Sequence, residues 1–130
     1  MIVLDSSAAI AALFNEPQCQ SVTETLSAER HIIMSAANLL ECVLRLARGP
    51  GPDRSVEIDE LIETFGVTVT PIDLEQLHFA RAGFLAYGKG RHPAGLNFGD
   101  CFAYALAKSR NAPLLFVGED FAKTDVKRIG

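Results

Sequence analysis

The sequence predicts an α/β sandwich in which helices pack on a mostly parallel sheet. Short apolar runs alternate with helical patterns along the whole chain, which is typical of this fold class. The 130 residues are 48% apolar and 22% charged, which favours a folded chain over a disordered one. No linker or repeat divides the sequence, so we expect one domain spanning residues 1–130.

The first half of the chain is predicted to contain two strands and three helices. Met1–Asp5 is a continuous apolar run of the kind found in buried parallel strands, and Ser6 and Ser7 are candidate caps for the helix that follows. A six-residue apolar stripe predicts the third helix. The predicted elements are strand Met1–Asp5, helix Ala8–Phe14, helix Gln18–Ala28, strand Ile32–Met34 and helix Ala36–Arg48. The stripe consists of Ala36, Leu39, Leu40, Val43, Leu44 and Ala47.

The second half repeats the alternation after the loop Gly49–Pro52. An amphipathic helix ends at Gly66, and a β-branched strand and a longer helix follow it. The basic, glycine-rich loop Gly88–Gly95 then leads into a largely apolar helix that opens at Gly99 or Asp100. The predicted elements are helix Ser55–Phe65, strand Val67–Ile72, helix Leu74–Tyr87, a helix ending at Arg110 and strand Leu114–Val117.

Composition and charge exclude several classes of protein. The longest uninterrupted apolar run, Ala8–Phe14, is far shorter than the roughly 20 residues of a membrane-spanning helix. No basic segment typical of a signal peptide is visible at the start. Three cysteines without C-x-x-C spacing disfavour a disulfide framework and a thiolate zinc site, so a reducing cytoplasm is expected.

Four acids are candidate functional residues. Asp5 ends the first strand, and Asp120 follows the last one, with Glu119 beside it. Ligand sites of parallel α/β sheets lie beyond the carboxyl ends of the strands, which is where these acids are expected. Asp100 stands in the first turn of an apolar helix, and Glu41 lies off the apolar stripe of its own helix.

Each acid also has a purely structural interpretation. Asp5 could cap a helix, Asp100 could complement a helix dipole, and Asp120 could belong to a capped turn. Glu41 has Arg45 four residues later, so a solvated ion pair on the helix surface is an alternative. Converging carboxylates, by contrast, would repel one another unless a hard cation such as Mg²⁺ or Mn²⁺ neutralised them. That arrangement suits phosphoryl or phosphodiester chemistry.

The four acids lie in four blocks whose order and spacing resemble the PIN-domain ribonucleases, most closely the VapC-type toxins of bacterial type II toxin–antitoxin systems. The likeness covers essentially the whole chain, and no single block would be specific alone. The blocks are Met1–Ala8, Ser35–Glu41, Leu96–Ala107 and Pro113–Phe121.

The resemblance implies a three-layer α/β/α domain that acts as a metal-dependent endoribonuclease and hydrolyses RNA with a metal-activated water. Asp5 and Asp100 match direct Mg²⁺ (or Mn²⁺) ligands, and Glu41 matches a further acid of the metal site. For the fourth acid we choose Asp120 over Glu119, because Asp120 directly precedes Phe121 as in the family's usual ending. A homodimer and a VapB-like antitoxin, whose C-terminal segment enters the site, are also implied.

The loop Gly88–Gly95 contains Arg91 and His92, which are candidate contacts to RNA phosphates, although a solvated loop would explain them equally. The formal net charge of −4, from 12 basic and 16 acidic residues, first argues against a nucleic-acid partner. The whole acidic excess, however, equals the four proposed site acids. The net charge therefore argues neither for nor against a nucleic-acid partner.

Two other functions fit the same fold class. A phosphoacceptor signalling domain would need adjacent acids after the first strand and a lysine after a late one, and neither is present. A non-catalytic interaction module would use the acids only as caps and ion pairs. Such a module would show no Mg²⁺-dependent thermal shift.

Overall fold

Four parallel strands form the central sheet in the computed structural model, which describes residues 1–129. The strand order is β3-β2-β1-β4, so the first strand lies inside the sheet. In register, Val3 of β1 pairs with Ile33 of β2 on one side and with Leu114 of β4 on the other. The predicted α/β class with a mostly parallel sheet is confirmed. The strands are β1 Ile2–Leu4, β2 Ile32–Ser35, β3 Thr68–Thr70 and β4 Leu114–Leu115.

Six α-helices connect and cover these strands within the described part of the chain, close to the predicted positions. Helix α1 begins two residues earlier than predicted, because Asp5, and neither Ser6 nor Ser7, is its N-cap. A short 3-10 helix, Phe121–Lys123, follows β4. The helices are α1 Ser6–Leu13, α2 Cys19–Ala28, α3 Ala36–Ala47, α4 Val56–Phe65, α5 Leu74–Tyr87 and α6 Phe98–Arg110.

Three strands are shorter than predicted: β1 lacks Met1 and Asp5, and β3 and β4 end early. β3 lies at the edge of the sheet and ends before Pro71, which has no N–H to donate to a neighbouring strand. β4 ends at Leu115, and two residues later the backbone N–H of Val117 donates to the Ser7 hydroxyl at 3.0 Å. A side chain of α1 therefore holds the backbone that follows β4.

The sheet separates two hydrophobic cores. Ile2, Leu4 and Met34 pack with α1, α2, α3 and α4 on one face. Val3 and Ile33 pack with α5 and α6 on the other. Alternate residues of a strand point to opposite faces, so each central strand contributes to both cores. The result is the expected three-layer α/β/α arrangement.

The predicted apolar stripe of α3 is partly wrong. Leu40 and Leu44 are 56% and 52% exposed. The buried positions are instead Asn38, Cys42 and Leu46, which follow one another at four-residue spacing. Asn38 can be buried because its amide donates two hydrogen bonds inside the molecule.

Two further expectations concern the cysteines and the membrane. Cys19, Cys42 and Cys101 are all free thiols. Among residues 1–129, no helix has both the length and the apolar character that crossing a membrane requires.

Candidate active site

Three of the four candidate acids meet at one open cavity of about 400 Å³ beyond the carboxyl end of β1. Asp5 follows β1, Glu41 projects from α3 and Asp100 lies in the first turn of α6. The cavity forms because α1, α3 and α6 all begin at this edge of the sheet. The convergence predicted from the position of the acids is therefore present for these three side chains.

Asp5 is almost completely buried, with 2% of its surface exposed. Its Oδ2 accepts hydrogen bonds from the backbone N–H of Ser7 at 3.0 Å and from the Ser7 hydroxyl at 2.5 Å. Its Oδ1 has no hydrogen-bond partner in the described chain. The pKa of Asp5 is raised to about 7, chiefly by burial; the hydrogen bonds from Ser7 act against this increase, and the charges of Asp100 and Glu41 contribute to it.

Glu41 is held by two polar neighbours through a single oxygen. Its Oε1 accepts from the Ser6 hydroxyl at 3.2 Å and from the Asn38 amide at 2.5 Å. The same amide nitrogen donates to the carbonyl of Gly99 at 3.0 Å. The alternative of a Glu41–Arg45 ion pair is wrong, since no such pair exists between described residues.

Asp100 combines a capping role with its place in the cavity. Its Oδ2 accepts from the backbone N–H of Asn97, while the Asn97 side chain accepts from the backbone N–H of Asp100. The two side chains form a reciprocal capping box, so Asp100 has a structural role at the start of α6 and also lines the cavity. The pKa of Asp100 is raised to about 6, chiefly by partial burial; the Asn97 hydrogen bond acts against this increase, and the charges of Asp120 and Glu41 contribute to it.

Asp120 precedes the short 3-10 helix and is exposed, with no capping hydrogen bond from its side chain. It does not line the cavity, but it lies close enough for its charge to act on Asp100. The neighbouring Glu119 lines a different cavity, beside α2. The geometry therefore favours Asp120 over Glu119 as the fourth acid.

Comparison with known proteins identifies the family. The family model described as "PIN domain" matches residues 2–127. Ribonuclease VapC30 of Mycobacterium tuberculosis is 40% identical over 128 residues, which cover 98% of each chain. Ribonuclease VapC28 of the same organism is 42% identical over 128 residues, covering 98% of this chain and 96% of the relative. The chain belongs to the VapC ribonuclease family of PIN-domain proteins. The resemblance seen in the four sequence blocks is thereby confirmed.

Solved VapC structures share the fold at low sequence identity. The crystal structure of M. tuberculosis VapC20, described as a toxin that cleaves the sarcin–ricin loop, superposes with a TM-score of 0.77 at 16% identity. The match covers 99% of this chain and 98% of VapC20. DNA-bound VapBC from Salmonella typhimurium gives a TM-score of 0.72 at 20% identity, covering 99% and 96%.

Arg91 and His92 do not belong to the cavity of this VapC-family chain. Arg91 donates from Nε to the carbonyl of Leu85, and Nδ1 of His92 accepts from the backbone N–H of Ala94. Both residues lie in the loop between α5 and α6, and neither lines the space around the acids. Their role in RNA binding stays a prediction.

Among the residues that hold the acids, Ser7 and Asn38 are two whose contacts the sequence did not predict. Ser7 stands two residues after Asp5, which is the spacing of a local cap, and it was considered only as a helix cap itself. Asn38 stands three residues before Glu41, so the two side chains are neighbours on one helix face. A buried asparagine next to a candidate acid is the signal that could have revealed this contact.

The donor set of the VapC-family cavity fits a hard divalent cation. Among the described residues, no three His, Cys, Asp or Glu side chains form a ready-made metal cluster. Mg²⁺, however, is commonly bound by one or two carboxylates together with waters and substrate phosphate. Asp5 and Asp100 provide two carboxylates with raised pKa values, and Asp5 keeps one buried oxygen unpartnered.

Proposed function

We propose that this VapC-family ribonuclease is an endoribonuclease whose activity depends on Mg²⁺ or Mn²⁺ bound beside Asp5 and Asp100. One observation carries the proposal: Asp5 is buried, and its Oδ1 lacks a hydrogen-bond partner in the described chain. A buried carboxylate oxygen close to other negative charges is unfavourable unless a cation compensates it.

In this proposal the carboxylates of Asp5 and Asp100 hold the ion, and Asp120 adds negative charge from the 3-10 helix. When bound, the ion polarises the substrate phosphate and acidifies a water molecule. Glu41 keeps its orientation through the hydrogen bonds to Oε1, so its Oε2 remains available to accept the proton of the attacking water. The chain thus divides cation binding and proton transfer between different acids.

The deciding experiment compares wild type with Asp100→Asn on end-labelled RNA in Mg²⁺, in Mn²⁺ and in EDTA. The asparagine oxygen can still accept from the Asn97 N–H, so the helix cap survives while one carboxylate charge is lost. Removing a residue that hydrogen-bonds to a metal ligand typically lowers activity by about 10- to 100-fold. Because Asp100 is proposed to be a ligand itself, we expect cleavage to fall by at least this factor. EDTA should abolish cleavage by wild type.

The matched control is Asp59→Asn, which removes an exposed carboxylate of α4 that lies outside the cavity. Its rate should equal that of wild type, and products cut within the RNA should mark an endonuclease. Undiminished cleavage by Asp100→Asn, or cleavage that persists in EDTA, would overturn the metal-dependent mechanism.

We also propose a VapB-like antitoxin as partner and a homodimer as the assembled form, in the cytoplasm that three free cysteines favour. The solved VapBC complexes with the same fold support such a partner. Exposed apolar side chains on α5 and at the start of α6 offer surface for assembly. The most exposed are Leu74, Leu77, Leu85 and Phe98.

Light scattering on the purified protein tests the dimer, for which twice the mass of one chain is expected. The antitoxin should copurify from the native host, and its removal should release RNA cleavage. A monomer at micromolar concentration would contradict the dimer, and a copurified partner that leaves cleavage unchanged would contradict the antitoxin.

A further inference from the structure

We propose that Arg45 of α3 and Arg48, the C-cap residue of that helix, form a subsite for the RNA backbone and bind phosphates beside the scissile one. The inference rests on the proposed ribonuclease function, since it assigns the residues that hold the substrate at the same cavity. The observation that carries it is that two arginines without acidic partners line a cavity whose other charged residues are all acids.

The position of the two arginines follows from the periodicity of α3. Arg45 follows Glu41 by four residues and lies on the same face of the helix, and the C-cap residue Arg48 comes three residues later and lines the same cavity. At 1.5 Å per residue, Arg45 lies about 6 Å and Arg48 about 10 Å along the axis from Glu41. The arginines therefore lead away from the acids along one wall of the cavity.

Neither guanidinium is used by the fold. Arg45 and Arg48 are exposed, and within residues 1–129 neither forms an ion pair or a side-chain hydrogen bond. Arg45 lies over the ring of Phe14, 5.4 Å from its centroid, which orients the side chain without using its donors. In contrast, Arg54 over the same ring is bound to Glu57 and to the carbonyl of Leu13.

The charge of the cavity explains why RNA would need such a subsite. An RNA strand approaching Asp5, Glu41 and Asp100 meets negative charge, and the bound cation offsets this only at the scissile phosphate. Guanidinium groups match phosphate oxygens in geometry and can bind them with two hydrogen bonds. Contacts of this kind position a nucleic acid without reading its sequence.

The test measures binding without cleavage. Wild type and the double variant Arg45→Gln/Arg48→Gln are titrated in EDTA against a short fluorescent single-stranded RNA, and affinity is followed by anisotropy over a range of salt concentrations. We expect the double variant to bind at least about 10-fold more weakly at low salt, because two charged contacts are lost. The slope of log affinity against log salt should shrink by about 1.4, at about 0.7 per lost phosphate contact.

Two control variants separate charge from folding. Arg30→Gln removes an exposed arginine just before β2, at the opposite edge of the sheet, and should keep wild-type affinity and slope. Arg45→Lys/Arg48→Lys should recover most of the salt slope while losing the two-bond geometry. All variants should melt at the wild-type temperature. With Mg²⁺ present, the glutamine variant should raise KM while kcat stays near the wild-type value.

Each remaining outcome is decisive. If the double variant binds RNA with wild-type affinity and slope, or if wild type itself binds no RNA, the inference is overturned. Loss of binding to a protein partner with unchanged RNA binding would assign the arginines to that partner and also overturn it. If wild type still cleaves RNA in these cases, only the arginine subsite is rejected and the proposed ribonuclease function is retained. If wild type does not cleave RNA, both proposals are rejected.

Discussion

Asp5 serves the fold and the proposed metal site with different oxygen atoms. Its Oδ2 caps α1 by accepting from Ser7, while its Oδ1 remains buried without a partner in the described chain. A carboxylate has enough acceptor positions for both tasks. The capping interpretation and the ligand interpretation of this acid are therefore compatible, although the sequence presented them as alternatives.

Asn38 is a positioning residue for the cavity. One amide nitrogen donates to Glu41 on the same helix and to the carbonyl of Gly99 on α6. The residue is completely buried, so these bonds form where water cannot replace them. Asn38 consequently orients the Glu41 carboxylate and links the first turn of α3 to the first turn of α6.

Replacing Asn38 with alanine should reduce both stability and cleavage. The carbonyl of Gly99 loses a buried donor, which we expect to lower the free energy of unfolding by about 1–3 kcal/mol. Glu41 loses one of its two orienting bonds, so cleavage should fall by about 10- to 100-fold, the usual cost of removing such a support. Urea unfolding and RNA cleavage measure the two effects.

Gln76→Ala is the matched control for this variant. Gln76 is also a buried amide, and its Nε2 donates to the carbonyl of Pro71 away from the acids. It should lose similar stability yet keep its cleavage rate at a temperature where the protein is folded. Equal losses of activity in both variants would show that Asn38 acts only through stability.

The start of α6 shows how a helix terminus becomes part of the site. Asn97 and Asp100 form the capping box, and Gly99 lies between them. A Cβ atom at Gly99 would overlap the Glu41 carboxylate, so the absence of a side chain allows α3 and α6 to approach. The capping box is formed by residues close in sequence, but glycine is needed at position 99 because the Glu41 side chain of α3 packs against it.

Helix α3 illustrates where periodicity misleads. Its leucines suggested a buried stripe, yet Leu40 and Leu44 are more than half exposed, while Asn38 and Cys42 are buried. Residue type indicates burial only on average. Asn38 is buried because its amide nitrogen donates two hydrogen bonds, although its Oδ1 has no partner in the described chain. The sequence offers two interpretations of Arg45, an ion pair with Glu41 and a basic approach path for RNA, and the structure contains no such ion pair among the described residues.

The raised pKa values of the acids make the stability of the whole molecule depend on pH and metal. Asp5 and Asp100 have pKa values near 7 and 6, above that of an ordinary aspartate, chiefly because burial disfavours their charged forms. Without metal, the folded state therefore holds more protons than the unfolded state between about pH 4 and 7. Stability is highest below this window and is lost as the pH rises through it.

In EDTA, the free energy of unfolding should decrease from about pH 5 to about pH 8, as measured by urea denaturation at each pH. Asp125, whose pKa is lowered by Lys108 and Tyr104, contributes its pH dependence at lower pH and does not mask this trend. Mg²⁺ added at about pH 8 should restore stability, because an ion that binds the folded state replaces the protons.

Asp5→Asn tests the origin of this effect, since it removes the acid with the larger pKa increase. The variant should show a flatter pH dependence and a smaller stabilisation by Mg²⁺ than wild type. Stability that rises with pH in EDTA, or an unchanged profile in the variant, would contradict the assignment.

The α/β class and the order of the elements could be predicted from the chain because period, capping and composition are local properties. Three of the four candidate acids also line one cavity, as their positions after the strands and on the helices suggested. The arrangement of the site could not, because its contacts join distant positions. Ser6 reaches Glu41 across 35 residues, Asn38 reaches Gly99 across 61 and Ser7 reaches Val117 across 110. Such pairs meet only after the two cores have packed against the sheet, so folding selects which acids share a cavity and which arginines line it.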